Sequence, residues 1–83
     1  MFKVKLTARA RKELKEISKV YQEAIELAFL ELAEDPFIGK PLTRELTGRF
    51  TYKVGLYRII YIINKKDKIL IIISAGHRST IYL

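Results

Sequence analysis

Apolar positions follow two different periods in this chain, helical in its first half and strand-like in its last third. Residues 2–6, Phe2-Lys3-Val4-Lys5-Leu6, alternate apolar and basic and predict a short strand with Phe2, Val4 and Leu6 inward. Thr7 then stands as an N-cap, and the spacing predicts a helix over 8–17 with Ala10, Leu14 and Ile17 on one stripe. Arg9, Arg11, Lys12 and Lys15 lie on its other side, a face read as solvated, with RNA contact as the alternative. Ser18 is placed to cap a second helix over 19–34, whose Tyr21, Ala24, Ile25, Ala28 and Leu32 form one stripe. Leu27, Phe29, Leu30 and Ala33 extend that stripe beyond what one sheet face requires. Two readings follow: the helices pack as an αα-hairpin, or a partner chain covers the excess. Asp35-Pro36 ends the helix, because the residue before a proline avoids the α region.

Residues 37–48 read as a loop punctuated by Gly39, Pro41 and Gly48, with Leu42 and Leu46 pinning it and Lys40 and Arg44 exposed. Residues 49–54 then alternate as a strand, with Phe50, Tyr52 and Val54 on one face and Arg49, Thr51 and Lys53 on the other. Gly55-Leu56 makes a tight connection to a strand over 57–63, in which Arg58, Ile60 and Ile62 share a face against Tyr57, Ile59, Tyr61 and Ile63. Asn64-Lys65-Lys66-Asp67 separates this run from a strand over 69–75, a hairpin signal, and a final short strand is expected over 79–82. The expected fold is α+β: an N-terminal strand, a two-helix hairpin, then a three- to four-stranded, mainly antiparallel twisted sheet, with both helices on one face. The second sheet face is expected to be partly open, and a ligand would lie there.

Composition narrows the function. Eighty-three residues make a single domain, residues 1–83, and the absence of cysteine excludes disulfides and thiolate chemistry. No segment is long and apolar enough to span a membrane and the start does not read as a signal peptide, so a cytoplasmic location is expected. Charge is uneven. Residues 1–35 carry seven basic and seven acidic side chains, whereas residues 36–83 carry nine basic against two acidic, Glu45 and Asp67, and so hold the whole net +7. A basic sheet half points to a polyanionic partner, nucleic acid first and an acidic protein second, while simple solubility is the bland alternative.

Arg58 breaks an otherwise apolar run, and a guanidinium there must reach the sheet surface or find an anion. The second run ends in Gly76-His77-Arg78-Ser79-Thr80-Ile81-Tyr82, which holds the lone histidine beside an arginine. If the two runs pair, Arg58 and the His77-Arg78 segment are expected on one face, the candidate site.

The element order, with Glu31-Leu32-Ala33-Glu34-Asp35-Pro36, Lys40-Pro41-Leu42, Glu45-Leu46-Thr47-Gly48, Tyr57-Arg58-Ile59-Ile60-Tyr61 and the terminal GHRxxxY, resembles the RelE/ParE superfamily of bacterial and archaeal type II toxins. The last two motifs are the most specific, and the ending is similar to the RelE branch. Members of that branch cleave mRNA in the ribosomal A site, whereas ParE-type members share the fold and poison DNA gyrase. The resemblance implies a cognate acidic antitoxin as partner, no cofactor, and no metal. It also implies that Arg58 and Arg78 hold the scissile phosphate, with Lys53 and Tyr82 completing the site. RelE enzymes carry a second lysine two residues beyond the first, where this chain has Gly55.

The residues support such chemistry. Metal-free RNA cleavage requires deprotonation of the ribose 2′-OH, stabilisation of the phosphorane-like charge and protonation of the departing 5′-oxygen. With Glu45 and Asp67 alone in the basic half, no carboxylate cluster is set up for Mg²⁺. Arg58 and Arg78 are suited to a bidentate phosphate clamp, His77 to acid or base work, and Tyr82 to stacking or proton exchange. Lys53 is a candidate base, and Arg49, Lys40 and Arg44 are candidate RNA contacts. A plain basic RNA-binding module and a gyrase inhibitor are the competing readings.

Overall fold

A two-residue turn sets the register of the whole basic half. The computed structural model describes residues 1–77 and 79. Its elements are β1 (Lys3–Leu6), α1 (Ala8–Lys15), α2 (Lys19–Glu34), β2 (Lys40–Pro41), β3 (Arg49–Val54), β4 (Tyr57–Asn64) and β5 (Ile69–His77), with short 3₁₀ turns at Pro36–Ile38 and Arg44–Leu46. The strands form one five-stranded sheet in the order β1-β5-β4-β3-β2. β1 runs parallel to β5 and the other neighbours are antiparallel. This is the expected α+β architecture with one strand added. β2 lies inside the stretch read as loop, where Lys40 and Pro41 pair with Thr51 and Phe50. Two residues beside a proline carry too little alternation to show as a strand, and Pro41 sits on the edge strand where a missing N–H costs least.

Between β3 and β4 only Gly55 and Leu56 turn the chain, and Gly55 takes φ +61. That sign is what a tight hairpin turn requires at its first central residue, and glycine adopts it without a Cβ clash. Val54 is thereby locked opposite Tyr57, and the next pair outward is Lys53 opposite Arg58.

Thr7 caps α1 as its position predicts: its Oγ1 accepts from the Ala10 amide at 3.1 Å and donates to the Ile73 carbonyl at 3.0 Å. One side chain therefore starts the helix and bolts it to β5. Ser18 occupies the cap position of α2 but makes no side-chain cap bond, contrary to expectation. Gln22 instead donates to the Ile17 carbonyl at 2.6 Å and ties the helix start to the preceding turn. α1 ends two residues early, at Lys15, and β5 runs two residues further than expected, to His77.

The core lies between the helices and one sheet face. Ala10, Ile25, Ala28, Phe29 and Leu32 pack on Ile59, Tyr61, Leu70 and Ile72, with Phe50, Tyr52, Val54, Tyr57 and Ile63 around them. Full burial of an isoleucine or leucine such as Ile25 or Leu32 contributes about 1.5–3 kcal/mol. Tyr61 is buried in this layer, stacks on Phe50 at 5.5 Å and donates to the Pro36 carbonyl at 2.7 Å. Gly39 makes that approach possible, because a Cβ there would fall 2.0 Å from the Tyr61 hydroxyl. Val20, Tyr21, Leu27 and Leu30 on α2 stay exposed, so α1 does not cover the surplus apolar surface. The second sheet face is partly open: Thr51 and Ile60 are buried at its centre, while Lys40, Arg49 and Lys53 are exposed. The strand expected over 79–82 falls almost wholly outside the described residues.

Candidate functional site

Residues directly opposite on paired strands share a face. Lys40 stands opposite Thr51, and Lys53 opposite Arg58. Alternation along β3 places Arg49, Thr51 and Lys53 together, so Lys40, Arg49, Lys53 and Arg58 all belong to the sheet face away from the helices. Three strands thus deliver four cations to one surface. The row through Arg58 continues to Gly76 on β5, which offers no side chain. Arg44 lies apart, exposed in the second 3₁₀ turn with φ +59.

Two features mark Arg58. Like charges directly opposite on a sheet repel, yet Lys53 and Arg58 form such a pair. The ion pair found among the described residues, Arg9 to Glu13 at 3.4 Å, lies on α1 and does not touch this face. Asp67, one of two acids in the basic half, is committed to the β4–β5 turn, where it accepts from Asn64 Nδ2 at 3.1 Å. Arg58 itself is half-buried, and its Nε is shielded from solvent with no hydrogen-bond partner among the described residues. A buried N–H donor left unmade costs about 1–3 kcal/mol. The fold keeps a charged donor where it is least comfortable, as sites awaiting an anion do.

His77 is placed differently from expectation. It stands opposite Tyr57, one register step from Arg58, and therefore faces the helices. Its ring meets Tyr57 edge-on at 5.6 Å, and Tyr57 in turn packs on Tyr21 of α2 at 4.9 Å. The Ser79 amide donates to His77 Nδ1 at 3.1 Å, and the Ser79 hydroxyl lies 2.7 Å from the same nitrogen. With Glu13, Glu16, Ile17 and Ser18, His77 lines a cleft of about 400 Å³ on the helix side. The strand period of two separates His77 from the Arg58 face by a single residue. Arg78 and Tyr82 lie outside the described residues.

Sequence reasoning passed over two side chains. Glu13 anchors α1 to the sheet: its Oε1 accepts from Ser74 Oγ at 2.7 Å and from the Ala75 amide at 3.3 Å. The helix pattern shows only an acid between basic residues, and nothing in it points to a partner 61 residues away. Thr51 shares the cationic face but is buried, and its Oγ1 has no partner among the described residues. Alternation placed it between Arg49 and Lys53; its burial depends on neighbouring strands and is invisible in the sequence.

A small mixed sheet carrying two helices on one face and a cationic row on the other defines a class. The chain belongs to the family described as the ParE toxin of the type II toxin–antitoxin system parDE, which matches residues 4–82. It is a type II toxin of the RelE/ParE superfamily. Among individual relatives it is 35% identical to toxin RelG of Mycobacterium tuberculosis over 83 residues, covering 98% of this chain and 95% of that protein. To toxin RelE of the same organism it is 31% identical over 83 residues, covering 98% and 86%. Its fold matches the toxin–antitoxin complex RelBE2 from Mycobacterium tuberculosis with a TM-score of 0.86 at 35% identity, over 93% of this chain and 98% of that one. The intact Escherichia coli RelBE complex shares the fold with a TM-score of 0.81 at 22% identity, over 93% and 96%.

Proposed function

We propose that this toxin is a ribosome-dependent mRNA endoribonuclease that inhibits translation. The observation that carries the reading is the Lys53–Arg58 pair: two cations opposed on one sheet face, one with a buried and unpartnered guanidinium Nε. Such a pair is matched to an RNA phosphodiester, whose non-bridging oxygens accept from the guanidinium and neutralise both charges. In the cleavage step the ribose 2′-OH gives up its proton and its oxygen attacks the adjacent phosphorus. The P–O5′ bond breaks and the departing oxygen takes a proton, leaving a 2′,3′-cyclic phosphate and a 5′-hydroxyl. Arg58 holds the developing oxyanion, and Lys53, exposed and directly opposite it, is the candidate to exchange the proton. Arg78 and Tyr82 complete the set on the ground of the family motif. His77, on the opposite face, is better placed to fix the end of β5 than to reach that phosphate. Lys40 and Arg49 extend the cationic surface along the RNA backbone. So few groups suffice if the ribosome orients the message in its A site.

Neutralisation is assigned to an acidic antitoxin, which fits both the basic sheet half and the exposed Val20, Leu27 and Leu30 of α2. The solved relative is a toxin–antitoxin complex, which supports such a partner here.

A gyrase-inhibiting activity without nuclease action is the second reading, favoured by the ParE description of the matching family. Cell-free translation with wild type, Arg58→Ala and Arg78→Ala, read by mapping mRNA 5′ ends, separates the two. Cuts confined to translated message and lost in both variants are expected. Intact message with inhibited DNA supercoiling in a parallel gyrase assay would transfer the assignment to the second reading.

A further inference from the structure

Several hydroxyl groups of this fold are committed, among them the buried ones of Tyr61 and Ser74. Thr7 donates to the Ile73 carbonyl, Thr47 to the Arg44 carbonyl, Ser74 to Glu13 and Tyr61 to the Pro36 carbonyl. Among the buried hydroxyls of the described residues, Thr51 is the exception. It is 8% exposed, and its Oγ1 has no partner among the described residues. The other buried side-chain polar atom left unpartnered there is Arg58 Nε.

These two atoms belong to one place. Thr51 stands opposite Ile60, and Arg58 is two residues before Ile60 on the same strand, so the pair is a cross-strand diagonal on one face. Diagonal neighbours lie about 7–8 Å apart at the backbone, a gap that an arginine side chain spans. Both atoms carry a proton to give. Nε–H can only donate, and a Thr–Arg bond would still leave the hydroxyl hydrogen unused. A single oxyanion with free lone pairs satisfies both. A metal cation is excluded by Lys40, Arg49, Lys53 and Arg58 around the site. Cations set out across three strands fit a phosphodiester backbone better than one carboxylate.

We infer that Thr51 is a further phosphate-binding residue, its hydroxyl donating to the same non-bridging oxygen of an RNA phosphodiester that Arg58 Nε contacts. The inference rests on the nuclease reading for the identity of the anion. The diagonal pair forms the floor of the site, with Lys53 at its rim.

The test compares wild type, Thr51→Val, Thr51→Ser and Arg58→Ala. Probes are a 2′-O-methyl trinucleotide, which cannot be cleaved, inorganic sulfate, and an oligoglutamate peptide. Binding is followed by titration, folding by thermal denaturation, and cleavage by the translation assay above. Thr51→Val should weaken trinucleotide binding about tenfold, the size of one hydrogen bond to a charged group, while leaving the fold intact. Thr51→Ser should restore it. Trinucleotide binding by Thr51→Val within about twofold of wild type, with Arg58→Ala defective, overturns the role of Thr51 and leaves the nuclease reading standing. If Arg58→Ala also binds and cleaves like wild type, the nuclease reading itself falls. A wild type that binds neither trinucleotide nor sulfate overturns the inference. So does dependence on Thr51 for the peptide but not the RNA, which would assign the slot to a carboxylate partner.

Discussion

Arg58→Met should stabilise this protein while abolishing its activity. Methionine keeps an unbranched chain of similar girth in the sheet and removes the charge and the Nε–H. The wild-type residue has Lys53 opposite it and a shielded donor with no acceptor among the described residues. Relief of an unsatisfied buried donor regains about 1–3 kcal/mol, and since Arg58 is half-buried the lower end applies, about 1 kcal/mol. Removing a like charge opposite Lys53 adds a few tenths more, within the ~0.2–1 kcal/mol range of cross-strand pairs. For a domain of this size, 1 kcal/mol moves the melting temperature by about 4–8 °C. Thermal denaturation by circular dichroism, with a urea titration to check that the m-value is constant, measures the effect. A rise of several degrees together with loss of message cleavage is the expected result. A fall in melting temperature would refute the reasoning, because it would show that the guanidinium contributes to the fold and is not held in readiness for an anion.

Two further substitutions test the scaffold. Tyr61→Phe orphans the Pro36 carbonyl and should cost about 1–3 kcal/mol. Burial raises the Tyr61 pKa from 10.0 to about 12, so wild-type stability should be full below pH 10 and fall as pH rises from 10 through about 12; equilibrium unfolding across that range should show a shallower fall in Tyr61→Phe. Glu13→Ala should cost a similar ~1–3 kcal/mol by stranding Ser74 Oγ and the Ala75 amide, and Glu13→Gln, which keeps an acceptor at Oε1, should cost less in a urea titration.

Local order determined much of this protein. Alternation and helical spacing marked out β1, β3, β4 and α2, because each period reflects side-chain direction along one element. Gly55 announced the tight turn, and counting outward from it puts Lys53 and Arg58 side by side. The uneven charge and the interrupting arginine already singled out the basic face. The tertiary structure decided what depends on neighbours. His77 is one residue from Gly76 in the chain, yet the period of two sends it to the helix side, away from Arg58. β2 exists because β3 offers it an edge, and Glu13 matters because β5 passes α1. Thr51 looked like any polar residue on an exposed strand face. Its burial and its unpartnered hydroxyl arise only when the sheet closes around it, since solvent exclusion belongs to the assembled strands and to no residue alone.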